Sequence, residues 1–214
     1  MGLVPSVTTI MKLIAKPSLE NWKINQILNS VISLEQEEGE TPEAYVYRCK
    51  QDANKIGKVA AEKGTKIHAQ IEKGFLGQRK TKAYKAVKKV LDEYYPDETW
   101  IAEPSFCADE GYGGKIDLYS KSGIFVDFKT KDNLKGKDPK KLVYDSHGMQ
   151  LSAYAQGCGY EEPVRVSIFI DRKDTTIVSC YIWDTESHAK HLAMFNSILT
   201  YWKLAKNYDP SETI

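Results

Sequence analysis

Cysteine is scarce in this sequence, and what there is lies far apart. Cys49, Cys107, Cys158 and Cys180 form no C-x-x-C pair. That spacing excludes a structural zinc site and a closely spaced iron–sulfur cluster, and free thiols in a reducing compartment are the expectation. An excess of one charge is missing too: 30 Lys and Arg stand against 29 Asp and Glu, for a formal net charge of +1. No global field draws in a polyanion, so a nucleic-acid surface has to come from local segregation of basic residues. Long apolar runs are absent. Nothing approaches the roughly 18 residues of a membrane span and the N-terminal stretch lacks a signal peptide's hydrophobic region, so the expectation is a cytoplasmic protein with no membrane partner. Linkers, internal repeats and low-complexity segments are also missing, which argues for a single domain over residues 1–214. The run from Gly111 to Gly114 has no G-K-[ST] and no helix after it. It reads as an inter-strand turn rather than a phosphate loop.

What is present suffices for a full core: 42% hydrophobic and 28% charged residues in a chain of 214 are ordinary for a globular protein. Pro5-Ser6-Val7-Thr8 opens a short segment that closes at Pro17. Ser18 then starts a helix to about residue 38, a second helical region covers 42–75 with Gly57 and Gly64 as places for a bend, and a third covers 78–95. Strands are expected at 99–107, 112–120 and 123–130, a helix at 138–157, strands at 164–171 and 175–182, and a last helix at 185–207. This order predicts an α/β fold, with a central mixed sheet over 99–182 flanked by helices and a mainly helical part at 1–95. Basic residues do segregate. Lys129, Lys131, Lys135, Lys137, Lys140 and Lys141 crowd the segment after the third strand, while those between Arg79 and Lys89 read as a solvated helix face.

The most informative stretch runs from Gly113 to Lys131. Lys121-Ser122-Gly123 is a three-residue hairpin loop, with glycine where a left-handed backbone is needed. The loop pairs Ser120 with Ile124, Leu118 with Val126 and Ile116 with Phe128, which gathers the apolar partners on one face and sets Asp117 directly opposite Asp127. Two carboxylates facing each other at roughly 5 Å repel unless something positive sits between them, and a divalent cation is the natural candidate. Lys129 projects from the same face as Asp127.

His68 and Glu72 share a helical face beside the apolar stripe Ile67, Ile71 and Phe75. Neutral imidazole is a good ligand for Mn²⁺ and a tolerable one for Mg²⁺ where carboxylates are near. Glu103, on the first strand, reads equally as a third carboxylate of that site or as an ordinary strand glutamate. Gln150 and Tyr154 are spaced i,i+4, with His147 three residues before Gln150, so one helix is expected to present an amide, a phenol and an imidazole together.

Taken in order, these parts resemble the PD-(D/E)XK nucleases, specifically the RecB-like exonuclease branch that includes phage exonucleases and mitochondrial genome maintenance exonuclease. The pattern G-x-x-x-H, a strand glutamate, G-x-[IV]-D, [DE]-x-K and Q-x-x-x-Y matches Gly64 to His68, Glu103, Gly114 to Asp117, Asp127 to Lys129, and Gln150 to Tyr154. Pro5-Ser6-Val7-Thr8 with Trp22 also resembles the start of that branch, so the likeness covers about residues 5–157. Ile116 stands where the name motif has proline, and the cysteine set that holds an iron–sulfur cluster in some relatives is missing, so no such cluster is expected.

The resemblance implies a restriction-endonuclease-like fold and a Mg²⁺- or Mn²⁺-dependent deoxyribonuclease. Such an enzyme hydrolyses DNA from its ends in recombination, repair or replication, here in a bacterial or phage-infected cell. It further implies one or two ions, the principal one held by Asp117, Asp127, His68 and the backbone carbonyl of Phe128, with Glu103 available for a second. Lys129 would act on the attacking water and the phosphate, Gln150 and Tyr154 would position water or the DNA backbone, and Lys131, Lys135 and Lys137 would contact phosphates. A structure-specific or flap endonuclease of the same fold and a non-catalytic nucleic-acid-binding module are the competing readings. Intact Asp117, Asp127 and Lys129 speak against the module.

Overall fold

The computed structural model describes residues 3–213. They divide into two compact units, one of which is Ala15–Lys66, while the other takes in the chain up to Ile14 and again from Ile67 onward. In the smaller unit, helix α2 (Pro17–Ser33) opens on Pro17, whose missing N–H is harmless in a first turn. Its Ser30 donates to Asp52 at 3.0 Å. Arg48 grips the Glu40 carboxylate through two hydrogen bonds, and Tyr45 donates to the carbonyls of Val31 and Leu34 at 2.7 Å. Helix α3 (Pro42–Phe75) is continuous rather than broken at its glycines. A glycine weakens a helix by about 1 kcal/mol, and the good helix formers around Gly64 offset that.

The larger unit begins with the single turn α1 (Val7–Ile10) and includes α4 (Lys82–Tyr94), which starts at the Thr81 cap. Its strands are β1 (Trp100–Ala102), β2 (Ser105–Ala108), β3 (Tyr112–Lys115), β4 (Leu118–Ser120), β5 (Ile124–Lys131), β6 (Val164–Asp171) and β7 (Val178–Ile182). Helix α5 (Asp145–Gly157) lies between β5 and β6, and α6 (Ser187–Lys206) follows β7. Five strands form one sheet in the order β1-β4-β5-β6-β7, and β2 and β3 form a separate two-stranded sheet. The β5–β6 pair is parallel and the other pairs of the larger sheet are antiparallel, so the central sheet is mixed.

Alternation along β5 sorts the core. Ile124, Val126 and Phe128 pack with Val166, Ile168 and Ile170 against Ile67 and Ile71 of α3 and Val87 and Leu91 of α4. Phe125, on the opposite face, joins Met149, Leu151 and Ala153 of α5 and Phe195 and Leu199 of α6. Full burial of each such aliphatic or aromatic side chain contributes about 1.5–3 kcal/mol. The same alternation points Asp127 and Lys129 toward α5. Among the described residues no helix is long and apolar enough to cross a membrane.

The hairpin register holds from Ser120↔Ile124 to Leu118↔Val126 and then stops. The expected pairs Ile116 with Phe128 and Asp117 with Asp127 do not form, because the chain turns away between β3 and β4. The break has a matching one in the neighbouring strand. Ala102↔Leu118 and Ser105↔Lys115 belong to different sheets, yet between them Glu103 N donates to Asp117 O and Ile116 N to Pro104 O. One long hairpin thus folds through a corner at Glu103-Pro104 and Ile116-Asp117. Pro104 has no N–H for a continuing ladder, and Glu103 takes a left-handed backbone, with φ 57°. Glu103 is therefore at a strand break, not on a strand. Ile116, turned by the corner, packs with the α5–α6 cluster instead of joining Leu118 and Phe128. Helix α5 also starts later than expected, because Pro139–Lys141 forms a separate 3₁₀ turn capped by Asp138.

Candidate active site

The corner, the middle of β5, one turn of α3 and one face of α5 meet around a cavity of about 340 Å³. His68, Glu103, Asp117, Asp127, Lys129, Gln150 and Tyr154 all line it. Each is placed by a different local rule. His68 follows Ile67 on a helix whose apolar stripe is pinned to the sheet, and its ring meets Phe128 edge-on at 5.9 Å. Asp117 is held by the Phe128 amide, which donates to its Oδ2 at 2.7 Å. Gln150 and Tyr154 are a turn apart on α5. Gln150 donates to Asp127 Oδ1 at 2.9 Å and to the Tyr154 hydroxyl at 2.8 Å.

Asp127 is the most enclosed acid in the group, its side chain only 3% exposed. Lys129 donates to its Oδ1 at 2.6 Å, lies 2.5 Å from its Oδ2, and reaches Gln150 Oε1 at 3.3 Å. Burial pushes the Asp127 pKa up; Lys129 pulls against that, and the Asp117 charge adds to it. His68 Nδ1 is 3.6 Å from Asp117 Oδ1. Burial disfavours its charged form, but Asp117 and then Asp127 outweigh that effect and raise the imidazole pKa. The Tyr154 phenol is raised as well, by burial first and by Asp127 second, so it stays protonated at neutral pH.

Glycine at 114 has a steric reason. A Cβ there would lie 2.8 Å from the Phe106 ring and 2.9 Å from the Tyr154 ring, so a side chain at this position would displace the phenol from Gln150. The Tyr112 hydroxyl donates to the Ala153 carbonyl at 2.9 Å and anchors β3 on α5.

Several expected neighbours go elsewhere. Lys131 borders the site without lining it, its ammonium 5.1 Å from the centre of the Tyr144 ring, and Lys135 and Lys137 are exposed on the loop after β5. His147 does not join Gln150 and Tyr154; its ring packs against Tyr144 and Phe169. Phe128 packs its side chain into the cluster with Val126 and Ile168, where its ring backs His68, and it reaches Asp117 through its backbone amide. In return the cavity gains Ser6, Val7, Thr8 and Lys115. The first three are brought in because Ser6 bridges Gly113 and Gly113 N donates to Pro5 O at 3.0 Å. In the sequence they only open the segment that closes at Pro17, and their distance from the hairpin hid the contact. Lys115 follows from its place two residues before Asp117, and its ammonium pairs closely with Glu103 Oε2.

Among the described residues no three His, Cys, Asp or Glu side chains converge closely enough to enclose an ion. Positive charge is supplied by Lys129 against Asp127 and by Lys115 against Glu103, while Asp117 has the imidazole of His68 3.6 Å from its Oδ1.

No protein-family model matches the chain, and no curated protein does. Among solved structures it is similar to one titled "Crystal structure of SSO0001", at 14% identity over 84% of this chain and 85% of that one, with a TM-score of 0.31. A likeness that slight carries no argument about fold or activity.

Proposed function

We propose that this protein is a metal-dependent DNA exonuclease of the PD-(D/E)XK kind, with a restriction-endonuclease-like core and the RecB-like motif set. The observation that carries the reading is the convergence of Asp117, Asp127 and Lys129 on one cavity with His68 and Gln150, from segments far apart in the chain. The donor types, carboxylate oxygens with an adjacent imidazole and one positive charge short even with both lysines in place, are those a hard divalent cation takes, and such an ion would have to draw Asp117, Asp127 and His68 together as it binds. Asp117, Asp127, His68 and the Phe128 carbonyl would hold such an ion. Bound there, Mg²⁺ or Mn²⁺ would neutralise the scissile phosphate and lower the pKa of a water.

The chain's own groups supply the rest. Attack by water forms a P–O bond as the bond to the leaving sugar oxygen breaks, and negative charge grows on the non-bridging oxygens. Lys129, held between Asp127 and Gln150, is positioned to orient the water and to stabilise that charge. Gln150 and the protonated Tyr154 offer hydrogen bonds to water or to the DNA backbone. Lys131, Lys135 and Lys137 would track flanking phosphates, and recombination, repair or replication is the setting such an activity serves.

End-labelled linear DNA and covalently closed circles, single-stranded and duplex, incubated with and without Mg²⁺ or Mn²⁺, test the reading. Linear DNA is expected to be shortened only with metal, and circles to resist. Full activity in EDTA after removal of bound metal would sink the metal-dependent assignment. Rapid cutting of both circles would turn the reading to an endonuclease.

A further inference from the structure

Lys115 has no part in that mechanism, yet it lines the same cavity and pairs with Glu103, the acid named for a second ion. It is the last residue of β3, and its ammonium pairs with Glu103 Oε2. The pairing is built into the corner. Ser105 is opposite Lys115 and Glu103 N donates to Asp117 O, so the two residues flank the same corner, where Glu103 has a left-handed backbone.

Charge within the cavity argues for the consequence. Asp117, Asp127 and Glu103 face Lys115 and Lys129, an excess of a single negative charge with His68 neutral. One divalent ion turns that into a single positive charge, the complement of one phosphodiester. A second divalent ion would leave the site strongly cationic and would have to displace an ammonium from Glu103. With Lys115 removed, the excess negative charge doubles and Glu103 is released, which suits two ions.

We propose that Lys115 takes the place of a second metal ion, so that the site works with one divalent cation while Lys115 meets a non-bridging oxygen of the scissile or adjacent phosphate. The proposal rests on the nuclease reading and goes beyond it by fixing the ion count and adding a residue that touches substrate.

Mn²⁺ titration of the full chain, followed by the electron paramagnetic resonance of the free ion, tests it without reference to turnover. Wild-type protein is expected to bind one Mn²⁺, Lys115→Met two, Lys115→Arg one, and the double variant Lys115→Met with Glu103→Gln one. The side chain of Lys115 is 56% exposed and neither Lys115 nor Glu103 belongs to a buried cluster, so these changes leave the core intact. The rate of cleavage is expected to rise with the first power of Mg²⁺ concentration in the wild type and to approach the second power in Lys115→Met. Two ions on the wild type, or one on Lys115→Met, overturns the proposal and leaves the nuclease reading standing. No ion on the wild type removes both.

Discussion

The backbone amide of Phe128 donates a 2.7 Å hydrogen bond to Oδ2 of Asp117, tying the corner between β3 and β4 to the strand that carries Asp127 and Lys129. The bond leaves Oδ1 facing His68 at 3.6 Å, so a single carboxylate anchors the backbone with one oxygen and serves the cavity with the other.

That division of labour predicts different outcomes for two substitutions at Asp117. Asn keeps a carbonyl acceptor for the Phe128 amide but loses the negative charge. Asp117→Asn is expected to lower metal-dependent cleavage on the order of a hundredfold or more. Its melting temperature should stay within about 2 °C of wild type. Asp117→Ala loses the acceptor as well and should be less stable than Asn by about 1 kcal/mol. Calorimetry beside a cleavage assay checks both, and near wild-type turnover in either variant contradicts the assignment.

Lys129 has two separable duties, neutralising Asp127 and acting on the phosphate. Lys129→Met is expected to lower kcat by roughly 10²-fold with little change in KM. It also strands a buried carboxylate whose pKa is already raised, so stability should fall by about 1–3 kcal/mol at alkaline pH. The loss should shrink as the pH drops and Asp127 takes up a proton. Single-turnover rates at saturating enzyme and denaturant titrations at two pH values provide the measurement. If Lys129 were only one phosphate contact among many, the single-turnover rate would persist while DNA binding weakened.

The directions of the His68 and Asp127 shifts set a pH dependence with a definite sign. Both groups bind protons more tightly in the folded chain than their ordinary values of 6.5 and 3.8. Their stabilising contribution is fully present below the unfolded values and is lost as pH rises through the folded ones. In EDTA, the melting temperature is therefore expected to decline as pH rises from 6.5 upward through the raised His68 value. Mn²⁺ should reverse the trend, because its ligands must be unprotonated and binding to the native state adds about 2.7 kcal/mol at a hundred times Kd. A melting temperature that rises with pH in EDTA would contradict the His68–Asp117 coupling.

By itself, the sequence determined the parts of this protein that local chemistry governs. Gly123, at φ 91°, closes the loop as its position requires, and the alternation of Leu118, Ser120, Ile124 and Val126 sets the register from 118 to 126. The spacing of Gln150 and Tyr154 puts both on the cavity side of α5, which His68, Asp117, Asp127 and Lys129 also line. Only the tertiary structure decided the corner. Its position depends on a proline without an N–H in one strand, on a glutamate forced into left-handed backbone beside it, and on an amide of a third strand that captures Asp117. None of these acts within a few residues of the aspartate. Tertiary contacts also sent the His147 ring to Phe169 rather than to Gln150, left Lys135 and Lys137 in solvent, brought Ser6 and Thr8 to the cavity across Gly113, and paired Lys115 with Glu103. Such outcomes turn on which groups compete for one partner in space, and linear spacing holds no record of that competition.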